Sequence, residues 1–275
     1  MKKILVSLGV AAMAAMLVAC SCTQGAKKAP KALVLYYSQG GTTEAVALEI
    51  ASQTGSDIAT IEPAEPYPSE YGATVQKALS DRQAGILPEV KPLAVSLDGY
   101  DIIYLGYPIW FGTCAPPMQS FLKANSLEGK KVVPFCSFGS GGLEKSIEDL
   151  GAAAPGATIL EGYGVRAARK DAIHSEVTQF LRENSLVEGE YEVLPPYGES
   201  TEVSGEDATL FNEAVGDYPM LRAVAKKVCK RSTSEGTDCL FEAASLDRDG
   251  KENGTVKVIV IAPEGGEPYF KRVIR

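Results

Sequence analysis

The 275-residue chain has few of the side chains on which metal sites and hydrolytic active sites depend. Its one histidine is His174, and none of its six cysteines belongs to a set of two CxxC pairs, so the sequence predicts no metal site. His174 lies among polar residues of a predicted helix and offers no Ser–His–Asp arrangement. We therefore predict binding residues and no catalytic ones.

Clusters of positive charge are also missing. Lysine and arginine number 27 against 35 aspartates and glutamates, which gives a formal net charge of −8. Consecutive basic residues occur only in pairs, such as Lys226 and Lys227. Because nucleic-acid binding depends on clustered positive charge, we predict no nucleic-acid partner.

The start of the chain is typical of an export signal. Lys2 and Lys3 precede an apolar segment, residues 4–18, which is shorter than the ~20 residues of a membrane-spanning helix. Residues 17–20, Leu-Val-Ala-Cys, resemble the lipobox of bacterial lipoproteins, in which the cysteine becomes the acylated first residue. The resemblance implies a signal peptide at 1–19, a lipidated Cys20 and a tether at 20–30. The protein would then lie in the cell envelope, held to the membrane by lipid. An ordinary signal peptide cleaved nearby is the alternative.

Residues 31–185 alternate between apolar runs of strand length and segments with helical spacing. The predicted strands are 32–37, 58–61, 102–107, 132–135 and 158–160, and the predicted helices are 43–51, 117–123, 143–150 and 171–182. This alternation predicts an α/β domain with a parallel sheet that is covered by helices on both faces.

The remainder of the chain has a different pattern. Residues 186–203 are rich in glutamate, glycine and proline and are predicted to form a linker. Residues 204–275 are predicted to form a small α+β domain, with a helix at 205–215 and strands at 222–229, 239–244 and 256–262. Cys229 and Cys239 flank a turn cluster at 232–237. If that cluster turns a hairpin, the two cysteines face each other as a disulfide; two unrelated, half-buried thiols are the alternative.

Three loops follow predicted strands, at the sheet edge where parallel α/β proteins bind ligands. The phosphate loop comprises Ser38, Gln39, Gly40, Gly41, Thr42 and Thr43; the aromatic loop comprises Pro108, Ile109, Trp110, Phe111, Gly112 and Thr113; the glycine loop comprises Ser137, Phe138, Gly139, Ser140, Gly141 and Gly142. The first loop leads into a helix start, whose N–H groups favour an anion. Together the loops suit a flat, phosphorylated heteroaromatic ligand.

Some side chains in these loops also have a purely structural interpretation. Trp110 either lines the ligand pocket or packs in the core. Cys114 follows the aromatic loop, and Cys136 precedes the glycine loop. We expect both to be small buried residues without a redox role.

The three loops together resemble those of the flavodoxins. Residues 37–43 resemble the flavodoxin phosphate loop, and residues 106–112 and 134–141 resemble the two loops that hold the flavin ring. The resemblance implies a doubly wound, five-stranded parallel sheet of order 2-1-3-4-5 over residues 31–185. It also implies FMN as the cofactor, with its phosphate on the first loop and its ring on the other two.

The function that this resemblance implies is electron transfer, or flavin-dependent reduction of quinone-like acceptors, with no particular redox partner indicated. The alternative is a non-enzymatic binding lipoprotein on a degenerate flavodoxin scaffold. A weaker likeness concerns the tail, where residues 211–214, 221–228, 240–243 and 256–260 resemble a cystatin-like helix-plus-hairpin unit. The turn at 229–233 lacks the Gln-Val-x-Gly loop of cystatin inhibitors, so we expect a docking or stabilising role.

Overall fold

The computed structural model describes residues 30–216 and 218–274. The predicted signal peptide, the lipidated Cys20 and residues 20–29 of the tether lie outside the described residues. Within the described ranges, no helix is both long enough and apolar enough to cross a membrane.

The first unit is a mainly parallel sheet. Its strands are β1 (Ala32–Tyr36), β2 (Asp57–Thr60), β3 (Ile102–Trp110), β4 (Thr113–Cys114), β5 (Lys131–Phe138), β6 (Thr158–Ile159) and β7 (Tyr163–Arg166). The central order is β2-β1-β3-β5-β6, with the short β4 paired to β3. Strand β6 pairs with the start of β5 and β7 with its end, so these two short strands share the last place in the sheet. The predicted order 2-1-3-4-5 is confirmed.

Helices cover both faces of this sheet. They are α1 (Thr42–Thr54), α2 (Tyr71–Gln83), α3 (Pro116–Ala124), α4 (Leu143–Ala153) and α5 (Ile173–Glu183), with 3₁₀ turns at Leu97–Gly99 and Ala167–Ala172. In β1, Leu33 and Leu35 join the core that α3 and α4 cover, whereas Val34 and Tyr36 join the core of α1 and α5. Successive strand residues point to opposite faces, so a strand that is apolar throughout needs cover on both sides.

The second unit is an antiparallel sheet. It contains β8 (Thr201–Glu202), α6 (Gly205–Gly216), β9 (Ala223–Thr233), β10 (Gly236–Leu246), β11 (Glu252–Ala262) and β12 (Tyr269–Ile274), with the strands in the order β12-β11-β10-β9-β8. Phe211 of α6 packs edge-on against Phe241 of β10, with 5.0 Å between the ring centroids. The sequence pattern predicts α6 and the three long strands, but it does not predict β8 or β12.

The disulfide predicted between Cys229 and Cys239 is wrong. Both cysteines are free. In the β9–β10 hairpin Cys229 lies opposite Leu240, and Cys239 lies opposite Lys230. Because neighbouring residues of a strand point to opposite faces, this register separates the two thiols across the sheet. Cys239 is buried in the core of the second unit, and Cys229 is half-buried on the other face.

The two units meet where β12 runs alongside the glycine loop. The Val273 backbone N–H donates to the Ser140 carbonyl at 2.6 Å, and Gly141 forms a parallel bridge with Val273. Arg166, at the end of β7, donates from Nε to the Gly139 carbonyl at 2.9 Å and from Nη1 to the Phe270 carbonyl at 2.7 Å. One loop of the α/β unit is thus hydrogen-bonded to a strand of the second unit.

Ion pairs join the units beside this contact. The Glu176 carboxylate of α5 lies 2.8 Å from Arg169 and 3.3 Å from Lys271 of β12. Lys271 also lies 3.2 Å from Glu235. The Tyr163 hydroxyl donates to Glu176 at 2.9 Å. The interface therefore combines strand pairing with a partly buried charge cluster.

Candidate functional site

The phosphate loop connects β1 to α1. Gly41 has φ 76° and ψ −7°, a left-handed conformation that favours glycine, and it caps the start of the helix without a side-chain hydrogen bond. The first N–H groups of a helix have no partner within the helix. Here Ser38 Oγ accepts from the N–H of Glu44, the third residue of α1, and the N–H groups of Thr42 and Thr43 have no side-chain cap. Open space surrounds Gly40. The predicted anion site therefore has free donors and room for a ligand.

Lys170 places a positive charge at this loop. It lies in the 3₁₀ turn after β7, and its Nζ donates to the Gly40 carbonyl at 3.4 Å. The ammonium group can thus contribute to binding a phosphate at the N-terminus of α1. The sequence does not point to this residue, because 130 positions separate it from Gly40 and no local motif marks it.

Glu44 is the acidic residue nearest to the proposed phosphate. Its Oε1 accepts a hydrogen bond from the Tyr36 hydroxyl at 3.4 Å, and its backbone N–H donates to Ser38 Oγ at 3.2 Å. Burial, followed by the negative charge of Glu44, raises the pKa of Tyr36. The carboxylate is directed towards the Tyr36 hydroxyl, and the Ser38 hydroxyl is fixed at the edge of the loop.

A cavity of about 280 Å³ opens beside the phosphate loop. Tyr37 and Tyr67 form aromatic parts of its wall, and Gln39 lies at its rim. The side-chain amide of Gln39 makes two hydrogen bonds. Its oxygen accepts from the Tyr37 hydroxyl at 2.7 Å, and its nitrogen donates to the Pro68 carbonyl at 2.8 Å. Gln39 is therefore positioned by its neighbours before any ligand arrives.

The aromatic loop is the tight turn of a two-stranded hairpin. Trp110 of β3 pairs with Thr113 of β4, and between them Phe111 (φ 52°) and Gly112 (φ 87°) are both left-handed. Two consecutive positive φ angles are the signature of a type I′ hairpin turn. Phe111 is 42% exposed at the tip of the turn, and the Arg82 guanidinium lies 5.2 Å from the centroid of its ring.

Trp110 belongs to an aromatic cluster below this turn. Its ring meets that of Tyr67 edge-on at 5.0 Å and that of Tyr37 edge-on at 6.0 Å. It also packs on the core that includes Tyr37 and Tyr107, and it remains half-buried. Trp110 thus packs on the core, and its place in a ligand pocket stays a prediction.

The glycine loop is the most constrained of the three. Ser137 is buried, and Phe138 is 5% exposed and packs in the hydrophobic core, so Phe138 can reach a ligand here only through its backbone. The carbonyls of Gly139 and Ser140 accept bonds from Arg166 and Val273. Its N–H groups are thus the main donors left for a ligand.

The structure brings the three predicted loops together. Thr43 Oγ1 and Ser137 Oγ form a buried 2.8 Å hydrogen bond between the phosphate and glycine loops. Ile109 of the aromatic loop packs beside Gly142. The Tyr37–Trp110 ring contact joins the end of β1 to the aromatic loop. The convergence of these loops at the carboxyl ends of β1, β3 and β5 is the expected place for a ligand in a parallel α/β sheet.

Other candidate side chains have structural surroundings. Burial raises the pKa of the Cys114 thiol to about 11, and it raises the pKa of the Cys136 thiol still further. Both are buried, which agrees with the expectation of structural cysteines. His174 Nδ1 lies 2.9 Å from Glu49 on an exposed helix surface. Within residues 30–216 and 218–274, no group of three or more potential ligand side chains could hold a metal ion.

A doubly wound parallel sheet, with a loop that leads from its first strand into a helix N-terminus, defines the class of α/β proteins whose ligand sites lie at the carboxyl ends of the strands. The Flavodoxin family's sequence model matches residues 31–180, and the chain belongs to the flavodoxin family.

The chain is similar to the NAD(P)H dehydrogenase (quinone) 3 of Rhizobium meliloti (strain 1021), with 34% identity over 131 residues. That similarity covers 42% of this chain and 58% of the relative, so the chain spans less than two thirds of the relative's length. A candidate flavoprotein of Bacteroides eggerthii DSM 20697 is 28% identical, covers 57% of this chain and 98% of its own, and has a TM-score of 0.48. A Lactobacillus acidophilus NCFM flavoprotein, solved in complex with FMN, is 23% identical over 54% of this chain and 99% of its own, with a TM-score of 0.44.

Proposed function

We propose that this protein binds FMN and acts in electron transfer, either as a carrier or as a reductase of quinone-like acceptors. The observation that carries the proposal is the N-terminus of α1, where Gly41 supplies no cap side chain and where Lys170 and the two other loops converge on the phosphate loop. Family membership and the relative named as a quinone-dependent NAD(P)H dehydrogenase support it.

The residues present fit an FMN molecule. The phosphate would lie on residues 38–43, with N–H donors from the helix start and a positive charge from Lys170. The ring would lie between the aromatic loop and the N–H groups of the glycine loop, beside Trp110. The bound flavin would supply the redox chemistry, and the chain would hold the phosphate, orient the ring and exclude water from one of its faces.

FMN titration tests this proposal directly. Trp110 is the single tryptophan of the chain, so its emission reports ligand binding next to the aromatic loop. We expect FMN to quench that emission saturably and to remain bound, as a yellow protein, after desalting. Riboflavin, which lacks the phosphate, is the matched control ligand and should bind more weakly. A protein that stays colourless and whose Trp110 emission does not respond would exclude the flavin function.

The second candidate function is a non-enzymatic binding role on the flavodoxin scaffold. It is favoured by the second unit, which contacts a loop of the proposed cofactor site and adds surface for a partner.

Two outcomes separate these functions. A flavin-loaded protein that oxidises neither NADH nor NADPH with any quinone tested would act as a carrier. A protein without flavin that still binds a partner would support the binding role.

We also propose that the protein is an envelope lipoprotein, anchored through Cys20, and that its C-terminal unit is a cystatin-like module with a docking or stabilising role. The lipobox resemblance supports the first point, and the single helix against an antiparallel sheet supports the second. Replacing Cys20 by alanine should release the protein from the membrane fraction. Retention of that variant in the membrane would contradict lipid anchoring.

A further inference from the structure

Two carbonyl groups of the glycine loop accept hydrogen bonds where the two units meet, one from Arg166 of β7 and one from Val273 of β12. Arg166 Nε donates to the Gly139 carbonyl at 2.9 Å, and the Val273 N–H donates to the Ser140 carbonyl at 2.6 Å. Among the described residues there is no cis peptide bond. A trans peptide carries its carbonyl and the following N–H on opposite sides. The N–H groups of Ser140 and Gly141 therefore point away from Arg166 and Val273.

The other two loops contact the ends of the glycine loop. Ser137, at one end, is bonded to Thr43 of the phosphate loop, and Gly142, at the other, packs against Ile109 of the aromatic loop. In the middle of the loop, Arg166 of β7 holds Gly139, and Val273 of the second unit pairs with Ser140 and Gly141. The loop is thus fixed on one side by the second unit and at its ends by the other two loops.

Close packing leaves this arrangement little freedom. A Cβ atom on Gly139 would lie 2.6 Å from the Tyr218 hydroxyl oxygen, and one on Gly141 would overlap the Val273 carbonyl oxygen. Glycine is required at Gly141, because the backbone of β12 approaches it closely, whereas a side chain at Gly139 would displace the Tyr218 hydroxyl. If the second unit were only tethered to the first, neither close approach would be expected.

Arg166 is the centre of this contact. It is 8% exposed, and its guanidinium lies 4.0 Å from the ring centroid of Phe270 and 5.1 Å from that of Tyr218. A buried guanidinium needs hydrogen-bond acceptors, and two of those it uses are the carbonyls of the glycine loop and of β12. The same side chain therefore fixes the loop and the strand relative to each other.

We propose that the second unit completes the cofactor site: Arg166 and Val273 orient the glycine loop so that the Ser140 and Gly141 N–H groups bind the flavin ring. Arg166 is then a positioning residue. This inference rests on the proposed FMN function and adds to it a contribution of the second unit to ring binding.

The test compares FMN binding in the full chain with Arg166→Gln and a matched variant. Arg166→Gln should weaken FMN binding about tenfold or more, the loss expected for a charge-assisted hydrogen bond. It should also lower the midpoint potential of the bound flavin, since N–H donors stabilise the more negative reduced ring. Lys271→Gln is the control, because it removes contacts to Glu176 and Glu235 at the same interface without touching the glycine loop. It should leave FMN affinity and potential unchanged.

A readout without cofactor separates the two proposals. In the FMN-free protein, the amide NMR signals of residues 139–142 should broaden or split in Arg166→Gln and remain sharp in Lys271→Gln. Arg166→Lys keeps the charge and should show a smaller effect of the same sign; it replaces Arg166→Gln if that variant does not fold. Wild-type affinity and potential in a folded Arg166 variant would overturn the inference while leaving the FMN function intact. A wild-type protein that binds no FMN would overturn both.

Discussion

Thr43 and Ser137 form a buried hydroxyl pair, 2.8 Å apart, although 94 residues separate them in the chain. Thr43 is the second residue of α1, and Ser137 lies near the end of β5. This bond fixes the distance between the phosphate loop and the glycine loop. It therefore couples the part of the site proposed for phosphate to the part proposed for the ring.

Loss of one hydroxyl from this pair should be costly. Ser137→Ala leaves the Thr43 hydroxyl buried without this partner, at about 1–3 kcal/mol. Thr43→Val should cost a similar amount, and the double variant should cost less than the sum of the two because no hydroxyl is then left unpaired. Urea unfolding measures these differences. Strict additivity would show that the two hydroxyls do not interact.

Removal of the charge on Lys170 should weaken phosphate binding. Lys170→Gln should raise the Kd for FMN about two- to fivefold, the scale of one solvent-exposed ion pair. The Kd for riboflavin should not change, because riboflavin carries no phosphate. Lys257→Gln, on an exposed position of β11, is the control for loss of one charge. An equal loss of affinity for both ligands would place Lys170 outside the phosphate site.

The cysteines of the described residues should differ in reactivity. Burial raises the pKa of Cys114 and of Cys239 to about 11 and raises that of Cys136 further, so these thiols carry almost no thiolate at neutral pH. Cys229 is half-buried and should be alkylated first in the native protein. Peptide mapping after a short iodoacetamide pulse measures this order. A Cys229–Cys239 cross-linked peptide would contradict the observed strand register.

Acid should weaken the contact of Glu235 with β12 inside the second unit. Burial tends to raise the pKa of Glu235, but the charge of Lys271 and its hydrogen bond, with that of Tyr269, hold the pKa below its usual 4.5. A lowered folded-state pKa contributes stability that is fully present above about pH 4.5 and is lost as the pH falls through the folded-state value. The stability difference between the wild type and Glu235→Gln should therefore shrink between pH 6 and pH 3.

Chemical unfolding at a series of pH values measures that difference. Glu267→Gln, at an exposed position in the turn before β12, is the matched control and should follow the wild type throughout. A difference between the wild type and Glu235→Gln that is constant with pH would show that Glu235 does not keep its ion pair in solution.

The sheet and its three loops could be predicted because their signals are local. An apolar strand, a loop of small residues and a helix start follow one another directly at residues 32–43. The residue types in each of the three loops indicate which part of a ligand that loop can bind. Even the short β6 could be placed by its apolar run. The order of the strands followed from the resemblance of all three loops, in register, to one family.

The residues that complete the site could not be predicted from such signals. Lys170 and Arg166 donate hydrogen bonds to backbone carbonyls that lie 130 and 27 residues away in the chain. Every residue has a backbone carbonyl, so no residue type in the sequence marks the acceptor. Strand β12 is short and carries two basic residues, Lys271 and Arg272, which obscure its alternation. The predicted disulfide failed because the turn cluster indicates a hairpin without fixing its register, and a shift of one residue changes the face of every side chain.

The contact between Arg166 and Phe270 spans 104 residues, and this separation has a consequence during synthesis. The α/β unit emerges from the ribosome first, and domains begin to fold in that order. Its glycine loop cannot acquire the Val273 partner until β12 has been made. A nascent chain therefore has its phosphate loop before its glycine loop is fixed. Tight binding of the flavin ring at the proposed site would therefore follow the synthesis of β12, and a chain that ends before β12 would hold the ring weakly.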